Sequence, residues 1–188
     1  MPIRTILWFV MVLVVFGVAT PGQAGEPTDR LKQHTEKVQR TASVGPRGPS
    51  NAFSIFAVDE MAQRALGRHW KDRTAAERAE FTPLFGELLD HVYLSQIGRY
   101  AGDRVRYTDE IIDGTRATVR ARVRATPGDE LPITMTMRKR GSEWLVDDIV
   151  VDDESILDAY RAQFDHIIRT SSYDGLIKRL KARPRSGN

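Results

Sequence analysis

The stretch RATVRARVRA, residues 116–125, alternates strictly. Ala117, Val119, Ala121, Val123 and Ala125 hold one set of positions, and Arg116, Thr118, Arg120, Arg122 and Arg124 hold the other. In an extended strand successive side chains point to opposite faces, so a period of two separates every apolar group from every arginine. A helix of the same residues would spread both around its circumference. A register slip of one residue would turn the arginines into whatever covers the alanines and valines. The segment therefore has one dry face and one wet face, as in an antiparallel sheet covered on one side.

The neighbouring segments extend this pattern. Arg104 to Ile112 reads as a mixed strand, and Leu131, Ile133, Met135 and Met137 alternate with Thr134, Thr136, Arg138 and Arg140. Trp144 to Val151 makes a fourth strand. IDGT and RGSE are tight hairpin turns, and TPGDE is a longer one. The expectation is a curved antiparallel meander of four strands with one apolar face and one basic face.

Helical periods flank the sheet. Ala52 to Trp70 reads as one helix, with Phe53, Phe56, Met61, Ala65 and Leu66 near helical spacing. Thr74 and Glu77 form a capping box, which starts the next helix at Ala75. On that helix Phe81, Leu84, Phe85, Leu88, Leu89, Val92, Tyr93, Ile97 and Tyr100 spread over an arc of about 200°, twice the stripe of an ordinary surface helix. Glu80, Glu87, Asp90 and His91 are assigned to the narrow polar side. Pro83 either kinks the helix or marks a second start capped by Thr82. Two more helices follow, capped by Ser155 and Asp174. Helices, sheet, helices is the order of an α+β domain with N- and C-terminal helices on one sheet face.

Residues 1–24 are expected to be a cleavable secretory signal: Arg4 precedes an apolar run from Ile6 to Ala19, with Gly22 and Ala24 at −3 and −1 of a cleavage after Ala24. The run is shorter than the roughly 20 residues of a membrane span. The remaining expectations are an N-terminal helix and Gly/Pro loop over 25–51, the α+β domain over 52–183 and a flexible tail over 184–188. The leader carries one arginine and no acid, so the net charge of +3 falls by one on cleavage, too balanced to imply a nucleic-acid partner. Cysteine is absent, which removes disulfides, thiolate nucleophiles and Cys-ligated zinc. His34, His69, His91 and His166 form no metal-binding motif, and no GxSxG, GxGxxG or P-loop is present. Asp147, Asp148, Asp152, Asp153 and Glu154 lack the spacing and turn glycine of a calcium loop and are read as a solvated strand end. No catalytic residue, metal or cofactor is expected.

The apolar sheet face offers only Ala and Val on one strand and adaptable methionines on the next, opposite a helix with an unusually wide apolar arc. An ordinary packed core and an enclosed apolar cavity both fit that pattern. Three stretches bear on the choice: ALGRHWKDRTAAERAEFTPLFGELLDHVYLSQIGRY, WLVDDIVVDDESILDAYRAQF and SSYDGLIKRLKAR. Within them Leu66, Gly67, Trp70, Phe81, Leu88, Leu89, Tyr93, Tyr100, Trp144, Asp147, Ser155, Tyr160, Arg161, Gln163, Phe164, Asp174, Gly175, Leu176 and Ile177 carry a resemblance that covers Phe53 to Lys181. The chain resembles the MlaC/toluene-tolerance family of periplasmic phospholipid-binding proteins.

The resemblance implies a non-enzymatic carrier in the periplasm. It would shuttle one diacyl phospholipid between an outer-membrane lipoprotein complex and an inner-membrane ABC transporter with its substrate-binding membrane subunit, in service of outer-membrane lipid asymmetry. Candidate lining residues are Phe85, Leu88, Leu89, Val92, Tyr93, Val119, Val123, Ile133, Met135, Met137, Tyr160 and Phe164. Tyr100, Arg99 and Arg161 are candidates for the cavity mouth or headgroup. Three alternatives stay open: a hopanoid or other apolar-lipid carrier of the same fold, a cone-fold enzyme using Asp109 or Asp147, and an envelope interaction protein that docks through its arginine face without lipid.

Overall fold

The structure is a computed structural model that describes residues 25–42, 52–100, 105–126 and 129–183, with side chains described for all of these but 38–39, 41–42, 52–53, 92–100, 125–126 and 129. The expected signal over 1–24 and tail over 184–188 lie outside the described residues. Helix α1 (Glu26–Ala42) comes first. A 3-10 turn (Ala52–Ile55), α2 (Val58–Leu66), a second 3-10 turn (Gly67–Trp70) and α3 (Ala75–Tyr100) follow. The sheet is β1 (Val105–Asp113), β2 (Arg116–Thr126), β3 (Asp129–Arg140), β4 (Glu143–Val151) and β5 (Glu154–Ser155). Helices α4 (Ile156–Ser171) and α5 (Tyr173–Lys181) end the described chain.

The strands pair antiparallel in the order β1-β2-β3-β4-β5, an open meander with one short strand more than expected. The extra strand comes from turn chemistry. Asp152 and Asp153 sit at φ 50° and 65°, the paired left-handed conformation of a tight hairpin turn, which aspartate tolerates. Glu154 and Ser155 then fold back onto Val151 and Val150. The β1–β2 and β3–β4 turns instead use Gly114 and Gly141, at φ 56° and 59°.

Three register shifts interrupt the pairing. One lies between Tyr107 and Asp109, one near the end of β2 between Arg124 and Thr126, and one opposite Thr136 and Met137, where β4 carries the extra Asp147. A bulge lets two residues oppose one and re-aims the chain beyond it. Asp147 is thereby kept with the outer residues Thr136 and Arg138, while Ile149 and Val151 return to the inner face.

The expected helix over Ala52–Trp70 is broken. Phe56 pairs with Val146 as a parallel bridge, and Ala57 N–H donates to the Val146 carbonyl at 2.8 Å, so α2 starts from the sheet edge. The capping box of α3 forms as read: Glu77 N–H donates to Thr74 Oγ1 at 3.2 Å, and Thr74 N–H to Glu77 Oε2 at 2.7 Å. Helix α3 runs through Pro83 without a second start. Ser155 caps α4, accepting from Asp158 N–H at 3.1 Å. Ser172, not Asp174, caps α5 by accepting from Gly175 N–H at 3.3 Å.

The helices meet over an aromatic cluster. Phe81 and Phe85 of α3 stack at 5.8 Å, and Phe164 of α4 meets both edge-on at 5.8 and 6.1 Å. Tyr160 stacks on Phe164 at 5.6 Å and meets Phe85 edge-on at 5.8 Å. Both geometries are favourable for ring quadrupoles.

The acidic run is only in part the solvated strand end expected from the sequence: Asp152, Asp153 and Glu154 are exposed, as expected. Asp147 and Asp148 are buried, at 5% and 6% exposure. Burial would raise the Asp147 carboxyl, but hydrogen bonds from Thr136 and Arg138 outweigh it and hold it below the usual range. Asp148 is a hub. Its Oδ2 accepts from Ser155 Oγ at 2.7 Å and Arg64 Nη2 at 3.3 Å, and its Oδ1 accepts from Ile149 N–H at 2.8 Å and Leu157 N–H at 3.4 Å. Replacing Asp148 by Ala removes the acceptor for all of these. Urea denaturation is expected to show a loss of about 2–4 kcal/mol, against under about 0.5 kcal/mol for the exposed Glu154→Ala.

Candidate functional site

Four rows of side chains cross the inner sheet face. Nearest the two hairpins lie Ile112, Ala117, Met137 and Val146. Glu110, Val119, Met135 and Ile149 form the second row, and Tyr107, Ala121, Ile133 and Val151 the third. Val105, Val123 and Leu131 form the fourth.

Burial falls away along this face. Ala117, Met137 and Val146 are closed over by helices, and β2 stays buried through Val119, Ala121 and Val123. On β3 and β4 the cover is incomplete. Met135, Ile133, Leu131, Ile149 and Val151 are all half-buried. The result is an apolar floor of five adjoining large side chains beside a low strip made by Ala121 and its neighbours. Each group left half-covered forgoes on the order of 1 kcal/mol of burial.

The walls come from the helices. Phe85, Leu88 and Phe164 are at most 2% exposed and lie in the closed core with Val119 and Met137. Leu89 and Val123 are also buried. Ile133, Met135 and Tyr160 are the expected lining residues that keep solvent contact. Helix α1 flanks β1, where the hydroxyl of Tyr107 is hydrogen-bonded to Thr35 and burial pushes its pKa up. The side chains of Val92, Tyr93, Arg99 and Tyr100 lie outside the described residues. Arg161 is exposed, pairs with Asp158 at 3.1 Å and packs its aliphatic stem against Gly67, on the side of α4 turned to α2.

Leu131, Ile149, Val151, Tyr107 and Glu110 belong to this face but were not among the candidates. Leu131 and Tyr107 follow the plain alternation of their strands, whereas Glu110, Ile149 and Val151 aim inward only because of the bulges, which pure alternation does not reveal. The Asp147-Asp148 doublet in the middle of β4 is the one local sign of a break.

Asp90 departs from the polar face assigned to it. It is 9% exposed, and its Oδ1 has no hydrogen-bond partner. Desolvation pushes its pKa up to about 6, against a lowering influence from His91. Helix α3 is thus buried over an even wider arc than its apolar residues alone suggest. A separate open groove of about 700 Å³ between α2 and α3 is lined by Asp59, Glu60, Arg78 and Arg140 beside Trp70, charged chemistry that does not suit an acyl chain. Among the described residues no cluster of His, Cys, Asp or Glu could hold a metal ion, and no helix is long and apolar enough to cross a membrane.

Comparison with known proteins follows the same outline. A family model described as MlaC protein matches residues 28–182. The intermembrane phospholipid transport system binding protein MlaC of Haemophilus influenzae is 24% identical over 129 residues, 66% of this chain. The chain spans 60% of the length of that relative. A phospholipid-binding protein from Ralstonia solanacearum, solved in complex with a phospholipid, superposes with a TM-score of 0.68 at 20% identity. The match covers 84% of this chain and 96% of that one, and establishes a shared fold.

Asp90 makes a pH prediction. Its raised native pKa means that the folded state holds this proton more tightly than the unfolded chain, so the contribution of Asp90 to stability is fully present below about pH 4 and is lost as pH rises through about 6. Asp90→Asn is expected to stabilise the protein by about 1–3 kcal/mol at pH 7.5. Denaturant titrations at pH 4 and 7.5 check this, with the gain absent at the lower pH.

Proposed function

The chain belongs to the MlaC protein family, and from that premise we propose that it is a periplasmic carrier of one diacyl phospholipid rather than an enzyme. It collects the lipid from one membrane system and delivers it to another, with an outer-membrane lipoprotein complex and an inner-membrane ABC transporter as its two docking partners. The observation that carries this reading is the half-covered apolar floor on β3 and β4.

The physics of the task agrees. Two acyl chains carry on the order of 30 methylenes, each worth roughly 0.8 kcal/mol when moved from water to an apolar surround. A lipid crossing water uncovered would face a barrier above about 20 kcal/mol. A carrier lowers that barrier by offering apolar side chains to the tails and leaving the headgroup in water. The floor offers branched and thioether side chains, and Met135 adapts to chains of different length and unsaturation. No group that breaks or makes bonds is required.

The enzyme alternative loses its candidates to pairing. Asp109 is bound by Arg120 on the outer face, and Asp147 is held by Thr136 and Arg138. The docking-only alternative is weakened by the same pairing. Of the arginines on that face, Arg120 bonds Asp109, Arg138 bonds Asp147 and Arg140 bonds Glu60. A hopanoid or another apolar lipid would use the same floor and differ only in cargo.

Native mass spectrometry of the mature protein, followed by organic extraction, tests the reading. The expected result is a one-to-one adduct whose extract is a diacyl phospholipid. Ile133→Asp places a charge on the floor at a half-buried position, so the fold should survive. Lipid uptake from liposomes should fall at least tenfold. An unliganded wild type that takes up no lipid overturns the proposal.

A further inference from the structure

We propose that hydrolysis of the Ala24–Gly25 bond creates a docking group for helix α1, the Gly25 ammonium, which forms an ion pair with Glu110 on β1.

Gly25 directly precedes α1, and its carbonyl accepts from Asp29 N–H at 3.0 Å, so it already belongs to the first helical turn. A Cβ placed on Gly25 would collide with Glu110 Oε1. The carboxylate oxygen therefore occupies the space that any side chain at this position would need, next to the amino nitrogen bonded to the same carbon. Its other oxygen is already used: Oε2 accepts from Thr28 N–H at 2.8 Å and from Thr28 Oγ1 at 2.6 Å. Among the described residues Oε1 has no hydrogen bond. A half-buried carboxylate thus holds the first turn of α1 with one oxygen and aims the other at Gly25.

Among the described residues no cation is paired with this oxygen: Lys32 Nζ lies over the Tyr107 ring and 3.9 Å from Asp29. Lys139 Nζ is engaged by Glu26 at 2.9 Å, and Arg30 pairs with Glu143 at 3.6 Å. Glu110 faces inward at all because of the bulge at Thr108. In the uncut chain the Gly25 nitrogen is a neutral amide. Cleavage consumes one water: the acyl carbon of Ala24 gains oxygen and leaves as a carboxylate, and Gly25 keeps its nitrogen as an amine. Free α-amino groups titrate near pH 8, so the amine is mostly protonated at neutral pH. The catalyst is an endopeptidase that cuts after small residues, acting on the Gly22-Gln23-Ala24 approach.

The pair matters because α1 has little else. Pro27, Thr28, Leu31 and His34 are its buried residues among those described. Polar anchors carry the rest, including Glu26 on Lys139 and on Trp144 Nε1 at 3.1 Å. Processing would then tighten the helix that flanks the β1 side of the apolar floor. This holds whatever the protein carries.

The full chain is exported in a bacterial host, and the product's N-terminus is sequenced. Gly25 as first residue is expected, and any other terminus overturns the proposal. The mature protein and a form that retains Ala24 are then each compared with their Glu110→Gln variants by thermal melting. Retaining Ala24 should lower Tm by about 2–4 °C with Glu110 and leave it unchanged with Gln. An equal effect of Glu110→Gln in both forms overturns the proposal, since Glu110 would then act through Thr28 alone. If the Gln variants do not fold, NMR titration of the isotopically methylated Gly25 amine decides. An apparent pKa above about 8 supports the pair, and a value at or below it overturns it.

Discussion

One buried carboxylate orients three elements. Asp148 sits in β4, draws in Arg64 from α2, and receives both the Ser155 hydroxyl and the Leu157 amide at the start of α4. A buried charge is tolerated only when its lone pairs are satisfied, so each of these donors is held in place by the penalty of leaving the charge bare. The direction of α4 follows from that constraint. Because α4 leaves the sheet at this point, Tyr160 and Phe164 reach Phe81 and Phe85 on α3. The aromatic cluster in turn closes the core at the hairpin end of the sheet and leaves the far end less covered.

Two kinds of apolar surface result from one pattern of residues. Near Met137 the face is core, and its role is to hold the layers together. Past Met135 the same alternation continues with less above it. The distinction is not in residue type, since Leu131, Ile133 and Val151 are ordinary core residues elsewhere. It lies in how far the helices extend over the sheet. A carrier needs both: a rigid end that fixes the sheet's shape, and an open end whose cover can be supplied by cargo.

Much of this was legible in the chain. The alternation of Val119, Ala121 and Val123 with the arginines gave the inner face of β2 directly, because a period of two has no other solution. Thr74 with Glu77 gave the start of α3, because the capping box is local chemistry. What was hidden depended on contacts distant in sequence. The bulges that turn Glu110 inward and keep Asp147 outward leave no mark in composition. Asp90 looked solvated because its charge argues for water, and only tertiary cover shows otherwise. Ser172 took the cap from Asp174 by one turn's geometry, and Asp152 with Asp153 made a hairpin turn where acidity suggested only solvent. For the floor itself, the residue types were visible but their degree of cover was not.

The open sheet has a further consequence at its margin. Beyond β4 the sheet is continued by β5 and by the Phe56 bridge, but β1 forms the opposite edge, and no further strand is paired to it among the described residues. Bare strand edges invite a second chain to add on, and a protein with exposed Ile111 and Ile112 on that strand would be prone to it. The bulge at Thr108 breaks the straight ladder an incoming strand would need, and Asp109, Glu110 and Asp113 place charge along it. The kink that brings Glu110 to helix α1 therefore also guards the edge against self-association, so one irregularity in nine residues serves both assembly within the chain and separation between chains.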